Sequence, residues 1–203
     1  MSDLILTEKQ NQIQVIRIHR PSHRNALTHA MYDALADGLA AAESDDDIRC
    51  TLFTGNEDCF TAGNDLTDFS DGMAEDFRDT AVGRFLLGLA KATKPVVAAV
   101  NGPAVGIGTT MLLHCDLVFA GDNARFQMPF ANLGLCPEGG SSLLLPNWLG
   151  RVRAAELLML GGAFKADDAY RLGLINRVCE PDATETNALA ICKQLTEQPP
   201  ASL

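Results

Sequence analysis

Residues 95–100 read PVVAAV, a run with no polar side chain, opened by Pro95 and closed two positions on by Gly102. A strand with one face in water alternates apolar with polar residues, whereas an unbroken apolar run is covered on both faces. Strands of that kind lie in parallel sheets with helices above and below, so this segment directs the chain to an α/β fold.

The rest of the sequence alternates strand and helix signals as that class requires. Residues 12–20, QIQVIRIHR, set Ile13, Val15, Ile16 and Ile18 among polar residues and predict a strand that Pro21 ends. Thr28 is placed to N-cap a helix over 28–42, with Met31, Leu35 and Leu39 at helical spacing and the acidic run 44–47 as its solvated end. A buried strand is expected at 50–54 and a helix at 76–91, with Phe77, Phe85, Leu86 and Leu89 as its apolar face. Residues 67–73 between them are poorly patterned and read as mobile. Beyond the Gly-rich turn 101–108 come a helix from Thr109, strands at 117–120 and 125–128, and a loop through Pro129 to Gly140. Helices are expected at 141–149, 153–160 and 166–172, a last strand at 175–178 and a last helix at 183–198. Residues 198–203 read as a linker. With 203 residues, the chain fits a single domain (1–203).

Bulk properties exclude several function classes. No apolar run reaches the roughly 18 residues of a spanning helix, and Asp3 and Glu8 do not suit a secretory signal, so no membrane partner is expected. The net charge of −10 argues against non-specific nucleic-acid binding. The six cysteines form no C-x-x-C and no framework spacing, which predicts reduced, buried thiols in a cytoplasmic or organellar-matrix protein.

Three segments carry candidate chemistry. In 59–69, CFTAGNDLTDF, Gly63 sits among small residues, where backbone can approach a ligand and aim an N–H at a developing oxyanion. A surface turn capped by Asp65 is the plainer reading. In 94–108, KPVVAAVNGPAVGIG, a buried strand runs into a Gly-rich turn that opens a helix, where unsatisfied N–H groups suit anions. The spacing Gly102-x3-Gly106-x-Gly108 resembles the phosphate turn of short-chain dehydrogenases. However, Tyr32 and Tyr170 are followed four positions on by Ala36 and Leu174, not by the Lys those enzymes carry. In 126–142, FQMPFANLGLCPEGGSS, Glu138 stands either as a helix-start acid or as a base whose pKa the neighbours Leu133, Leu135 and Cys136 would raise. Asn101 and Thr110, near the Gly turn, are placed to orient a substrate, with turn and cap roles as the plainer reading. His114-Cys115-Asp116 is contiguous, so its side chains diverge and no metal site is expected.

Taken in order, the segments RPSHRNALT (20–28), AGNDL (62–66), KPVVAAVNGPAVGIG and AYRLGLINRV (169–178) resemble the crotonase, or enoyl-CoA hydratase/isomerase, superfamily. The resemblance implies a crotonase-like spiral of ββα turns and an acyl-CoA thioester substrate, with no separate cofactor because CoA is part of the substrate. It assigns the two oxyanion N–H groups to Asn64 and Ile107, beside Gly63 and Gly106. Ala62, Asp65 and Leu66 would line the thioester and pantetheine, and Arg24, Asn25 and Ala26 would lie near the CoA nucleotide. The two glutamate positions of the hydratases hold Thr110 and Phe130, the latter counted among the substrate-binding positions. Glu138, in P-E-G-G, matches instead the single acid of peroxisomal-type Δ3,Δ2-enoyl-CoA isomerases. Another crotonase reaction, or a non-catalytic acyl-CoA binder, stays open at this point. The family further implies a homotrimer or hexamer. Residues 67–78 are expected to shape the acyl pocket, and the C-terminal helices usual in the family are largely absent from this sequence.

Overall fold

The structure is a computed structural model that describes residues 4–68 and 76–203. Strands β1 (Ile5–Gln10), β2 (Ile13–Ile18), β3 (Cys50–Thr54), β4 (Val96–Val100), β6 (Leu117–Gly121) and β9 (Arg177–Cys179) form one sheet in the order β1-β2-β3-β4-β6-β9. β1 and β2 are antiparallel, and every other pairing in that sheet is parallel. A smaller sheet joins β5 (Pro103–Val105), β7 (Arg125–Gln127) and β8 (Phe164–Lys165) in the order β5-β7-β8.

Helices cover both faces of the large sheet. On one face Ile16, Ile18, Phe53, Ala98 and Val100 pack with Met31, Leu35 and Leu39 of α1 (His29–Ser44) and with Phe85, Leu86 and Leu89 of α2 (Ala81–Ala90). On the other, Ile13, Val15, Leu52, Val97, Ala99 and Phe119 pack with Ala188 and Cys192 of the last helix, Pro181–Thr196. Alternate residues of β4 thus enter opposite cores, which is why no polar residue is found there. Each such large apolar side chain, fully buried, contributes about 1.5–3 kcal/mol.

Local chemistry sets the boundaries. The Thr28 hydroxyl accepts from the Met31 N–H at the start of α1, as its type and place predict. The helix expected over 76–91 is divided: Asp76 caps a 3-10 turn at Phe77–Asp79, and Thr80 then caps α2 by accepting from the Gly83 N–H. Phe77 is consequently exposed rather than part of the apolar face. β1 escapes sequence reading because, of its six residues, only Ile5 is buried. β5 is hidden inside the Gly-rich turn, which is followed by a four-residue helix α3 (Ile107–Thr110) and a 3-10 turn at Met111–His114.

Helices α4 (Ser141–Leu149) and α6 (Ala166–Leu172) occupy their expected positions, with α5 (Arg151–Ala155) between them. After α5 the chain widens into a π-helical turn, Glu156–Leu160, that Gly161 ends at φ +61°. The final helix is α7, and Pro200–Ser202 form a 3-10 turn where a linker was expected. Among the described residues no helix is long and apolar enough to cross a membrane. Most of the poorly patterned stretch 67–73, and of the expected pocket-shaping stretch 67–78, lies outside the described residues.

Candidate active site

Parallel strands β3 and β4 are neighbours, so the loops leaving their carboxyl ends emerge side by side, the usual place for a ligand in an open α/β sheet. The two loops are stitched together. Phe60 and Thr61 both donate their N–H to the Pro103 carbonyl (3.1 and 3.0 Å), and the Val105 N–H donates to the Thr61 carbonyl (3.0 Å). The approach is close enough that a Cβ on Gly63, which has φ +90°, would stand 2.9 Å from the Val105 carbonyl oxygen. A side chain is excluded there by both space and conformation.

A third segment, 24–27, braces the first loop from its other side. The Ala62 N–H donates to the Arg24 carbonyl, the Leu27 N–H to the Gly63 carbonyl and the Asp65 N–H to the Leu27 carbonyl (2.8–3.0 Å). The Gly63 N–H is taken by the Thr61 hydroxyl at 3.1 Å. Along 62–65 only the Asn64 N–H makes no hydrogen bond among the described residues. At the second loop, the Gly106 N–H donates to the Gln127 carbonyl (2.8 Å), and Thr109 and Thr110 donate to the Gly106 carbonyl. The Ile107 N–H, at the first position of α3, is likewise without a bond among the described residues. Both positions singled out in the sequence thus have an N–H without a hydrogen bond among the described residues, as does Gly108 at the second position of α3.

Glu138 lies in the loop before α4. The Thr110 hydroxyl, one turn along from Ile107, donates to Glu138 Oε1 at 2.5 Å. Oε2 is shielded from solvent and has no partner among the described residues. Burial lifts the Glu138 pKa to about 7, against the opposing pull of the Thr110 bond. The direction matches the sequence-based expectation, but the cause differs: Leu133, Leu135 and Cys136 are all exposed. The thiols are expected to be buried; Cys136 is instead exposed and Cys115 half-buried, while the other four are buried. The loop that carries Glu138 is held at several points. His114 Nε2 donates to the Gly139 carbonyl at 2.7 Å, and the Ser141 hydroxyl donates to the Glu138 carbonyl at 2.7 Å. A Cβ on Gly139 would lie 3.0 Å from Thr110 Cβ, so the loop packs directly on α3.

Other residues expected near the ligand have partners within the chain. Asn25 is fully buried and its side chain is fully engaged: Oδ1 accepts from the Arg20 N–H (2.7 Å), and Nδ2 donates to the Cys59 and Phe60 carbonyls (2.8 and 3.2 Å). Asp65 pairs with Arg20 at 2.6 Å. The Thr67 hydroxyl together with that guanidinium holds the Asp65 carboxyl well below the usual carboxylate range. The Ala26 carbonyl accepts from the same arginine. Phe130 is packed with Leu113, Met128, Leu145 and Ala154, in a core cluster rather than open to a ligand. Arg24 is exposed, Ala62 half-buried, and Leu66 68% exposed, so these three remain accessible from solvent.

Sequence reading takes Thr110 as a cap or hydratase position and His114 as a rejected metal ligand, and misses that their i, i+4 spacing puts both on the side of α3 and its 3-10 extension that grips the Glu138 loop. Tyr32 is weighed there only as a dehydrogenase tyrosine; four residues after the Thr28 cap, its buried hydroxyl donates to Asn64 Oδ1. Among the described residues no three His, Cys, Asp or Glu side chains gather as metal ligands would.

A family profile described as enoyl-CoA hydratase/isomerase matches residues 8–203. The chain is 39% identical over 204 residues to enoyl-CoA delta isomerase 2 of Rattus norvegicus, covering 98% of this chain and 52% of that protein. It therefore spans about half the length of the rat relative. It is 37% identical to 1,2-epoxyphenylacetyl-CoA isomerase of Escherichia coli K12, covering 98% of this chain and 78% of the relative. The solved structure of Pseudomonas aeruginosa OdaA superimposes with a TM-score of 0.95 at 47% identity, over 99% of this chain and 81% of the other.

Proposed function

Because this chain belongs to the enoyl-CoA hydratase/isomerase family, with its crotonase-like fold, we propose that it moves the double bond of a 3-enoyl-CoA thioester to the 2-trans position. Glu138 is the only proton carrier in this scheme. The thioester carbonyl oxygen accepts from the Asn64 and Ile107 N–H groups, which acidifies the C2 protons by stabilising the charge that builds on that oxygen. Removing one such donor typically costs about 3–4 kcal/mol of transition-state stabilisation. Ionised Glu138 takes a proton from C2, and the electron pair passes into a dienolate whose charge rests on the thioester oxygen. Protonated Glu138 then delivers that proton to C4. The double bond settles between C2 and C3, the carbonyl re-forms, and Glu138 is a carboxylate again.

The observation that carries this reading is the state of Glu138: one oxygen oriented by Thr110, the other shielded and unpartnered among the described residues, and a pKa of about 7. A base of that pKa is ionised in useful amount near neutrality and is a competent acid once protonated. Hydration would require a second acid–base group. The hydroxyl of Thr110 already donates to Glu138, and Phe130 has no proton to transfer. The exposed Arg24 guanidinium supplies a positive charge for the CoA phosphates in an otherwise acidic chain. A trimer is the assembly proposed, and it would cover apolar surface on α4, α5 and the π-helical turn.

Incubation with 3-trans- and 3-cis-enoyl-CoA, followed by the absorbance of the conjugated product and by its mass, tests the proposal. Isomerisation leaves the mass unchanged, whereas hydration adds one water. Glu138→Gln should lower kcat by about 10²–10⁴-fold with acyl-CoA binding retained. An unchanged rate in that variant overturns the single-base scheme.

A further inference from the structure

We infer that Tyr32 is a positioning residue for the oxyanion hole, holding Asn64 through the bond from its hydroxyl to the Asn64 side-chain carbonyl. The inference rests on the reading of Asn64 as an oxyanion donor given above.

Tyr32 is only 2% exposed, on the first turns of α1, and its ring is held by the core. It lies against Phe85 of α2 with ring centroids 6.1 Å apart, and Phe85 in turn meets Phe53 of β3 edge-on at 5.8 Å. A buried tyrosine hydroxyl must find an acceptor. This one takes the carboxamide of the residue whose own N–H the ladders leave over. The Asn64 peptide is already held on one side by the Leu27 N–H bond to the Gly63 carbonyl. It follows Gly63, however, whose backbone at φ +90° gives little intrinsic resistance to rotation. Tyr32 supplies a second attachment point, through the side chain, from a helix anchored in the core. A donor aimed in advance at the oxyanion needs no reorganisation when charge develops, which is what makes such donors effective.

The same hydroxyl lies in the electrostatic field of Glu138. Burial first, and that charge second, raise Tyr32 well above the usual tyrosine range, so it stays a proton donor to Asn64 throughout the working pH range. A satisfied core tyrosine would serve as well with any acceptor, and its loss would be felt in folding alone. Here the acceptor belongs to the proposed oxyanion loop, so its loss should be felt in turnover.

The test is a double-mutant cycle of Tyr32→Phe and Asn64→Ala, both of which keep every backbone N–H. The readouts are kcat and KM with 3-enoyl-CoA, exchange of the C2 hydrogens of a saturated acyl-CoA in D2O, and the thermal unfolding midpoint. Each single variant should lose about tenfold in kcat and in exchange rate, less than the 10²–10³-fold of losing a donor outright. KM should stay within about twofold, and the double variant should be no slower than the slower single one. A Tyr32→Phe enzyme within about twofold of wild type, or losses that multiply in the double variant, overturns the inference. Should Tyr32→Phe fail to fold, Asn64→Ala decides alone: an unchanged kcat overturns, and a tenfold fall at constant KM supports. A wild-type protein that neither isomerises nor exchanges overturns the oxyanion reading itself, an outcome visible before any variant is compared.

Discussion

Burial lifts the pKa of Glu138 to about 7, so between the ordinary carboxylate range and neutrality the folded chain keeps a proton there that the unfolded chain has released. The stability tied to this group is therefore full below about pH 4.5 and declines as pH rises through about 7. Glu138→Gln, which cannot ionise, should gain roughly 1–3 kcal/mol over wild type at pH 8 and almost nothing at pH 4. Urea unfolding at the two pH values measures the difference, and an equal effect at both would contradict a buried, titrating carboxyl. The rate moves the other way, because the base acts only when ionised. On the proposed scheme kcat/KM should fall about tenfold per pH unit below about 7 and level off above it. The Thr110 bond works against burial, so Thr110→Val should move this limb to higher pH, as a pH–rate profile will report. A limb that stays in place would mean that Thr110 does not touch the ionising oxygen in solution.

At the scale of elements, the site depends on three loops that hold one another, and Asn25 is the tie between two of them. Its backbone at φ +57° suits asparagine better than most residues, and its carboxamide joins residue 20 to the turn at 59–60. Asn25→Ala leaves an amide and two carbonyls without their partner, and should cost about 2–4 kcal/mol in urea unfolding while slackening the Asn64 loop. A loss below about 0.5 kcal/mol would show that water replaces all three bonds. Asn25 also marks the limit of what sequence makes legible. Periodicity located β4, α1, α4 and α6, because burial on one or both faces dictates residue type position by position. The motif order pointed to Asn64, Ile107 and Glu138 as the proposed site, and the neighbouring Gly63, Gly106 and Gly139, all at positive φ, mark where the backbone turns. β1 was missed because a ribbon with five of its six residues outside the core carries no apolar pattern. The internal roles of Thr110, His114, Tyr32 and Asn25 were missed for another reason. Each acts through side-chain hydrogen bonds that reach residues distant in sequence, and bonds of that kind leave no periodic trace.

Over the whole molecule, the apolar surface is unevenly spread. Val152 is 80% exposed, Met159 72% and Leu143 67%, and all three belong to the stretch formed by α4, α5 and the π-helical turn, with Trp148 among them. Single exposed apolar residues are ordinary, but several along one stretch of the chain suit an interaction surface. A net charge of −10 would keep separate copies apart, so apolar contact has to overcome repulsion for them to associate. The π-helical turn is also joined to the loop that carries Glu138, since Asn132 Nδ2 donates to the Leu160 carbonyl at 3.2 Å. Covering that face in the proposed trimer would therefore steady the catalytic loop as well as hide apolar area. Sedimentation equilibrium should give three times the 21.7 kDa chain mass for the wild type. Val152→Glu combined with Met159→Glu should shift it to the monomer, because burying two unpaired carboxylates is costly. If the face supports the loop, the monomeric variant should also lose kcat by about three- to tenfold while Glu138 is intact, the modest size expected of slackened positioning rather than a lost group. A wild-type monomer at micromolar concentration would remove the assembly from this account, and a fully active monomeric variant would separate the surface from the chemistry.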